Sequence, residues 1–166
     1  MAKKKKNNSG KIFSFAALAL GVVAICMLFV TVVATPDKTV AGVTVEGIKV
    51  SGLKAAFGYS EKEIEVLAFS FMALLPWVLV LAGTVLAALN TFSKKASKVL
   101  DFVAVVAFVA AGVMFFIMPS FLVFAETISG AVWKALEWKL AVGAIVAAVA
   151  SIAAGALILT KNLLKK

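Results

Sequence analysis

The chain has 166 residues, 63% of them hydrophobic, with a net charge of +9 and a mean hydropathy of +1.09. Average soluble domains are roughly 45–50% apolar, so this composition excludes an ordinary water-soluble fold and points to one membrane domain. All seventeen basic residues are Lys, and there is no Arg or His, which removes bidentate phosphate clamps and His-dependent nucleophile pairs.

Four long runs carry no charge: Ile12–Pro36, Val66–Ser93, Phe102–Ala125 and Leu140–Thr160. Each reaches the roughly 20 residues that a helix needs to cross a bilayer core. The expected fold is therefore an all-α bundle of four transmembrane helices with a small extracytoplasmic β-hairpin between the first two.

In chain order, residues 1–11 read as a Lys-rich cytoplasmic tail and 12–35 as the first span, closed by Thr35-Pro36-Asp37 because Pro cannot continue a helix. A cleaved signal peptide ending near Ala34 is the rival reading of this segment. Its apolar run exceeds the 7–15 residues usual for such a peptide. Residues 36–62 form the first outer loop. There Val43, Val45, Ile48 and Val50 alternate with polar residues, which predicts strands over 39–46 and 48–54 pairing as a hairpin. Ser60 followed by Glu63 has the form of a capping box, so the second helix is expected to start near residue 61, with its span over 63–90. Pro76 lies within that span and is expected to kink it. Residues 91–98 are a short inner loop. The third span covers 99–119, where Pro119 either ends it or is a second kink in a longer helix. Residues 120–139 form the second outer loop, where Trp133 and Trp138 sit at the depth of an interfacial aromatic belt. The fourth span covers 140–160, and 161–166 is a cytoplasmic tail.

The lysines divide unevenly between the two faces this topology creates. Eleven, at positions 3–6, 11, 94, 95, 98, 161, 165 and 166, fall on one face with Asp101; the other carries six lysines and seven acids. The positive-inside rule then puts both termini in the cytoplasm of a cell whose plasma membrane the protein spans. The same lysines imply contact with anionic lipid headgroups, and no nucleic-acid surface is indicated because few polar or aromatic residues accompany them.

Chemistry-bearing residues are scarce. Asp101 lies near the inner end of the third span, and Lys98 three residues before it is the expected partner on the helix surface. The single cysteine, Cys26, excludes an intramolecular disulfide, and no catalytic, metal-binding or cofactor-binding residues are identified. Thr31, Ser70, Thr84, Asn90 and Ser151 are the polar residues that could line a path. In the last span Gly143, Ala147, Ser151 and Gly155 recur every four residues, with Ala144, Ala148 and Ala156 beside them. Such a small-residue stripe lets another helix approach closely, either within the bundle or from a partner membrane protein or second copy.

The order of tail, span, strand-bearing loop, span, short loop, span, small loop and span resembles the claudin and peripheral-myelin-protein group. That group carries a Trp, a Gly-Leu-Trp and a cysteine pair in its first outer loop; here Gly52-Leu53 is followed by Lys54, and the loop has neither Trp nor Cys. The resemblance implies a non-enzymatic protein whose strand-bearing loop meets neighbours. The expected role is accordingly non-catalytic: a scaffold, accessory or cell-envelope interaction protein. The rivals are a small transporter or channel subunit and an immunity-type or stress-response envelope protein.

Overall fold

The computed structural model describes residues 9–40, 43–61, 64–93, 97–126 and 128–164. Four helices are long and apolar enough to cross a membrane: α1 (Ser9–Cys26), α3 (Phe71–Phe92), α4 (Lys98–Phe116) and α6 (Val142–Leu163). Two short helices, α2 (Gly52–Phe57) and α5 (Ile128–Lys134), lie in the connections at one end. The long helices form a closed ring, with α1 against α3, α3 against α4, α4 against α6 and α6 against α1. The outward face is apolar: Val78, Leu81, Val85 and Leu89 are all exposed along α3. Water would penalise such a surface and hydrocarbon does not, so this is a four-helix membrane bundle.

The interior is built from small residues around one large ring. Phe108 of α4 is fully buried. A Cβ placed on Gly21 of α1, Gly83 of α3 or Gly155 of α6 would lie 3.3, 3.2 or 3.4 Å from its atoms. Gly83 thus makes room for the ring itself, Gly21 lies against both Phe108 and the Thr84 hydroxyl, and Gly155 is in ordinary contact with the Phe108 Cβ. Lipid and core are equally apolar, so close packing of this kind supplies the association energy that burial supplies in water.

Among the described residues, seven short strands gather at one end of the bundle, here termed the sheet end: β1 (Thr31–Ala34), β2 (Lys38–Val40), β3 (Val43–Val45), β4 (Lys49–Ser51), β5 (Tyr59–Glu61), β6 (Ile64–Leu67) and β7 (Lys139–Leu140). The central sheet has the order β4-β1-β7, all antiparallel, and β2–β3 and β5–β6 are separate hairpins. This corrects three expectations. The first helix stops at Cys26, passes through a 3-10 turn (Met27–Phe29) and becomes a strand. The β-branched run Thr31-Val32-Val33 favours a pleat, with Val32 and Val33 fully buried. Second, the predicted strand over 39–46 is itself folded into β2 and β3, while β4 pairs with β1 at the end of the first span. Third, the second long helix starts at Phe71 rather than near 61. Ser60 sits in β5, and Ser70 is the cap, its hydroxyl accepting from the Ala73 N–H at 3.2 Å.

Candidate functional site

At the sheet end, β1 joins the two connections that flank the bundle. Val33 pairs with Val50 on one side and with Leu140 on the other, and the Ala141 N–H donates to the Val32 carbonyl at 2.9 Å. A second tie runs between β6 and the chain after α4: Ala68 N–H to Val123 O and Ala125 N–H to Val66 O, both at 3.0 Å. The two connections are therefore one folded cap.

Aromatic rings fill the space beneath it. Trp133 lies 5.9 Å from Tyr59 and 5.7 Å from Trp138, measured between ring centroids, and Trp138 lies 5.9 Å from Phe124. The Trp138 Nε1–H donates to the Trp133 carbonyl at 2.7 Å. Of the two tryptophans expected as interfacial anchors, Trp133 is 9% exposed and packs within the cap, and Trp138 is half-buried. Their position near a helix end was readable, but which way the rings turned depended on Tyr59, more than seventy residues away.

Beside the cap lies a cleft of about 130 Å³, lined by Thr35, Pro36, Glu46, Gly47, Ile48 and Glu137 along with Leu136. Its wall is fixed by side chains that bond backbone: Asp37 Oδ1 accepts from the Gly47 N–H, and Thr35 Oγ1 from the Ile48 N–H at 2.8 Å. Glu46 and Glu137 are exposed at its rim.

The opposite end of the bundle holds a buried ion pair. Lys161 Nζ, in the last turn of α6, stands 2.8 Å from both carboxylate oxygens of Asp101, in the first turns of α4. The side chains are 4% and 2% exposed. Asp101 was expected to pair with Lys98 on its own helix; Lys98 is exposed instead. A carboxylate at this depth requires a partner that can be buried with it, and a neighbour on the lipid-facing surface cannot serve. Close by in sequence, Asn90 clamps the α3–α4 turn: its Oδ1 accepts from the Ser97 N–H at 2.7 Å and its Nδ2–H donates to the Ser97 carbonyl at 3.0 Å.

The small-residue stripe of α6 faces inward. Ala147 and Ser151 are fully buried; a Cβ on Gly143 would lie 2.5 Å from the Thr31 carbonyl. Ala144 and Ala148 are buried beside it, whereas Ala156 is exposed. Pro76 is buried within α3, where its ring leaves the Met72 carbonyl without the usual helical donor. Of the two expectations for Pro119, the kink in a longer helix is corrected: α4 ends at Phe116, and this proline occupies the start of a 3-10 turn (Met118–Phe121) just beyond it. Cys26 is exposed on the lipid side. The polar residues considered for a path make no continuous line. Thr84 and Ser151 each donate to the carbonyl four residues earlier, Ser70 donates to the Phe121 carbonyl, Asn90 is spent on the clamp, and Thr31 is within β1.

No protein-family model matches the chain, and no curated protein matches it.

Proposed function

We propose that this chain is a non-catalytic integral membrane protein that presents its sheet end to a neighbouring protein, as a scaffold, accessory or envelope interaction protein. The observation that carries this reading is the β4-β1-β7 sheet, which makes one rigid surface out of both connections between spans. A surface assembled from separate loops costs conformational entropy, and it offers a partner a pre-ordered face.

On this reading the sheet end is extracytoplasmic and both termini are cytoplasmic, in the plasma membrane. The lysine distribution supports that orientation, with a net charge of about +10 on the terminal side and −1 on the other. The lysines of the terminal side then meet anionic headgroups. Affiliation with the claudin and peripheral-myelin-protein group is proposed at the level of topology, and it rests on the four-span layout with its strands between the first two spans. The pairing of Asp101 with Lys161 weighs against the transporter alternative, since each charge is consumed by the other.

The test is photo-crosslinking in living cells, with a photoreactive residue at Glu46, Lys49 or Glu137 on the cap and at Leu159 on the lipid face as control. The expected result is a discrete protein adduct at the cap positions, and the adduct at position 49 is lost when Glu46 and Glu137 are replaced by Lys. Solute flux through vesicles holding the purified protein, with no adduct at any cap position, would replace this reading with a transporter.

A further inference from the structure

The short helix α2 packs against the start of α3: the Ser70 N–H, at the cap of α3, donates to the Ala56 carbonyl at 2.9 Å. Gly52, the first residue of α2, is so close to α3 that an added Cβ would stand 2.7 Å from Trp77 Cζ2. The Trp77 side chain leans toward the N-terminus of α3, so its ring reaches the first turns of that helix. The same Gly52 position is 3.0 Å from the Leu28 carbonyl, in the turn that ends the first span.

The faces of α2 are sorted accordingly. Ala55 and Ala56 are buried toward the bundle, at 1% and 0% exposure. Leu53 and Phe57, four residues apart and so on one face, are 40% and 56% exposed. Lys54 turns away from that face: its Nζ lies 4.1 Å from the centre of the Tyr59 ring. Gly58, at φ +94°, ends the helix with a turn that a side chain would strain.

The exposed face does not stand alone. The Phe57 ring packs 6.2 Å from Phe69, and Phe69 continues into Phe71 and Met72, all more than half exposed. Between these residues and the chain around Phe121 is a notch of about 270 Å³. Below Met72 the same apolar surface runs on along Val78 and Leu81 of α3, which face hydrocarbon.

We propose that α2 is an interfacial helix that inserts Leu53 and Phe57 into the lipid at the sheet end, forming with Phe69 and Phe71 the aromatic belt of this membrane surface. The occupant is the acyl region just below the headgroups, because the patch meets α3 at its first residues, Phe71 and Met72, and is continuous from there with the lipid-facing side of that helix. The belt is made of phenylalanines, while Trp133 is buried in the cap and Trp138 is half-buried beside it. Docked in this way, α2 holds the β4-β1-β7 sheet flat against the bilayer, since β4 runs directly into it. The inference rests on the bundle spanning a membrane; it depends neither on orientation nor on the partner role, so either can fail without the other.

The experiment places a nitroxide at Leu53→Cys or Phe57→Cys in a Cys26→Ser full-length chain, reconstituted in phosphatidylcholine–phosphatidylglycerol vesicles. Leu81→Cys serves as a lipid control and Glu137→Cys as a cap control. Collision with dissolved oxygen relative to a water-soluble nickel chelate should be several-fold higher at 53 and 57 than at 137, and should approach the value at 81. A ratio at 53 and 57 equal to that at 137 overturns the proposal, as does shielding from both reagents, which would mean a protein covers this face. The unsubstituted chain provides the second measurement: a photoreactive group near the ester end of a lipid acyl chain should label residues 52–57 and 69–72. Labelling of α3 and α6 with none in 52–57 also overturns it.

Discussion

Asp101 and Lys161 show how much a single residue pair can mean in a bundle held by small contacts. Removing one partner of a buried pair strands the other charge, which costs about 3–5 kcal/mol; removing both with apolar replacements of similar shape is far milder. Asp101→Asn or Lys161→Met alone should therefore lower the unfolding free energy in mixed micelles by several kcal/mol, and Asp101→Leu with Lys161→Met should recover most of the loss. Equal destabilisation by the single and double replacements would show that the pair is not a unit. Phe108→Ala makes a comparable test of the core. It should cost about 3–5 kcal/mol, because the ring is fully buried and its removal leaves a cavity between closely packed helices. Neither feature was legible in the sequence. Helix-surface rules reach three or four residues, and the partner of Asp101 is sixty residues away. Gly21, Gly83 and Gly155 are likewise scattered over three spans, and only the fold brings them to one phenylalanine.

At the scale of elements, the hydrophobic runs revealed where helices cross and concealed where they begin. The first span reads as unbroken from Ile12 to Pro36, yet hydropathy does not distinguish an apolar helix from an apolar strand. The change at Thr31 is marked only by β-branched residues. The start of α3 was misplaced because Ser60 and Ser70 are both competent caps. Alternation around Ile64 and Val66 favours a strand, and that local period outweighs the Ser60 signal. Ser70 does two jobs, accepting from the Ala73 N–H and donating to the Phe121 carbonyl at 2.6 Å. Ser70→Ala should cost about 1 kcal/mol or somewhat more, in line with the loss of a cap, while Ser60→Ala, on an exposed strand position, should leave thermal unfolding unchanged. The reverse order of effects would restore the capping box. The stripe of α6 was legible as a packing surface, but its partners, the Thr31 carbonyl and Phe108, lay beyond what a repeat of four could specify.

For the molecule as a whole, four spans were legible because crossing a bilayer requires length and apolarity, and both are written continuously in the chain. The union of the two connections through β1 was not, since β1 hides at the end of an apolar run and its partner β7 is two residues long. That union also bears on processing. Cleavage after Ala34 would remove α1 and the central strand of the sheet, so the protein isolated from membranes should retain α1, as mass determination of the purified chain can establish. A mature N-terminus at Thr35 would exclude this fold. On the proposed topology the sheet end and the terminal end lie on opposite sides of the membrane, with the cap outside. Single cysteines at Lys49, Glu137 and Lys98, in a Cys26→Ser chain in intact cells, test this most directly with a membrane-impermeant thiol reagent. Labelling is expected at 49 and 137 from outside, and at 98 only after permeabilisation; labelling at 98 in intact cells, with 49 and 137 silent, would overturn the proposed orientation.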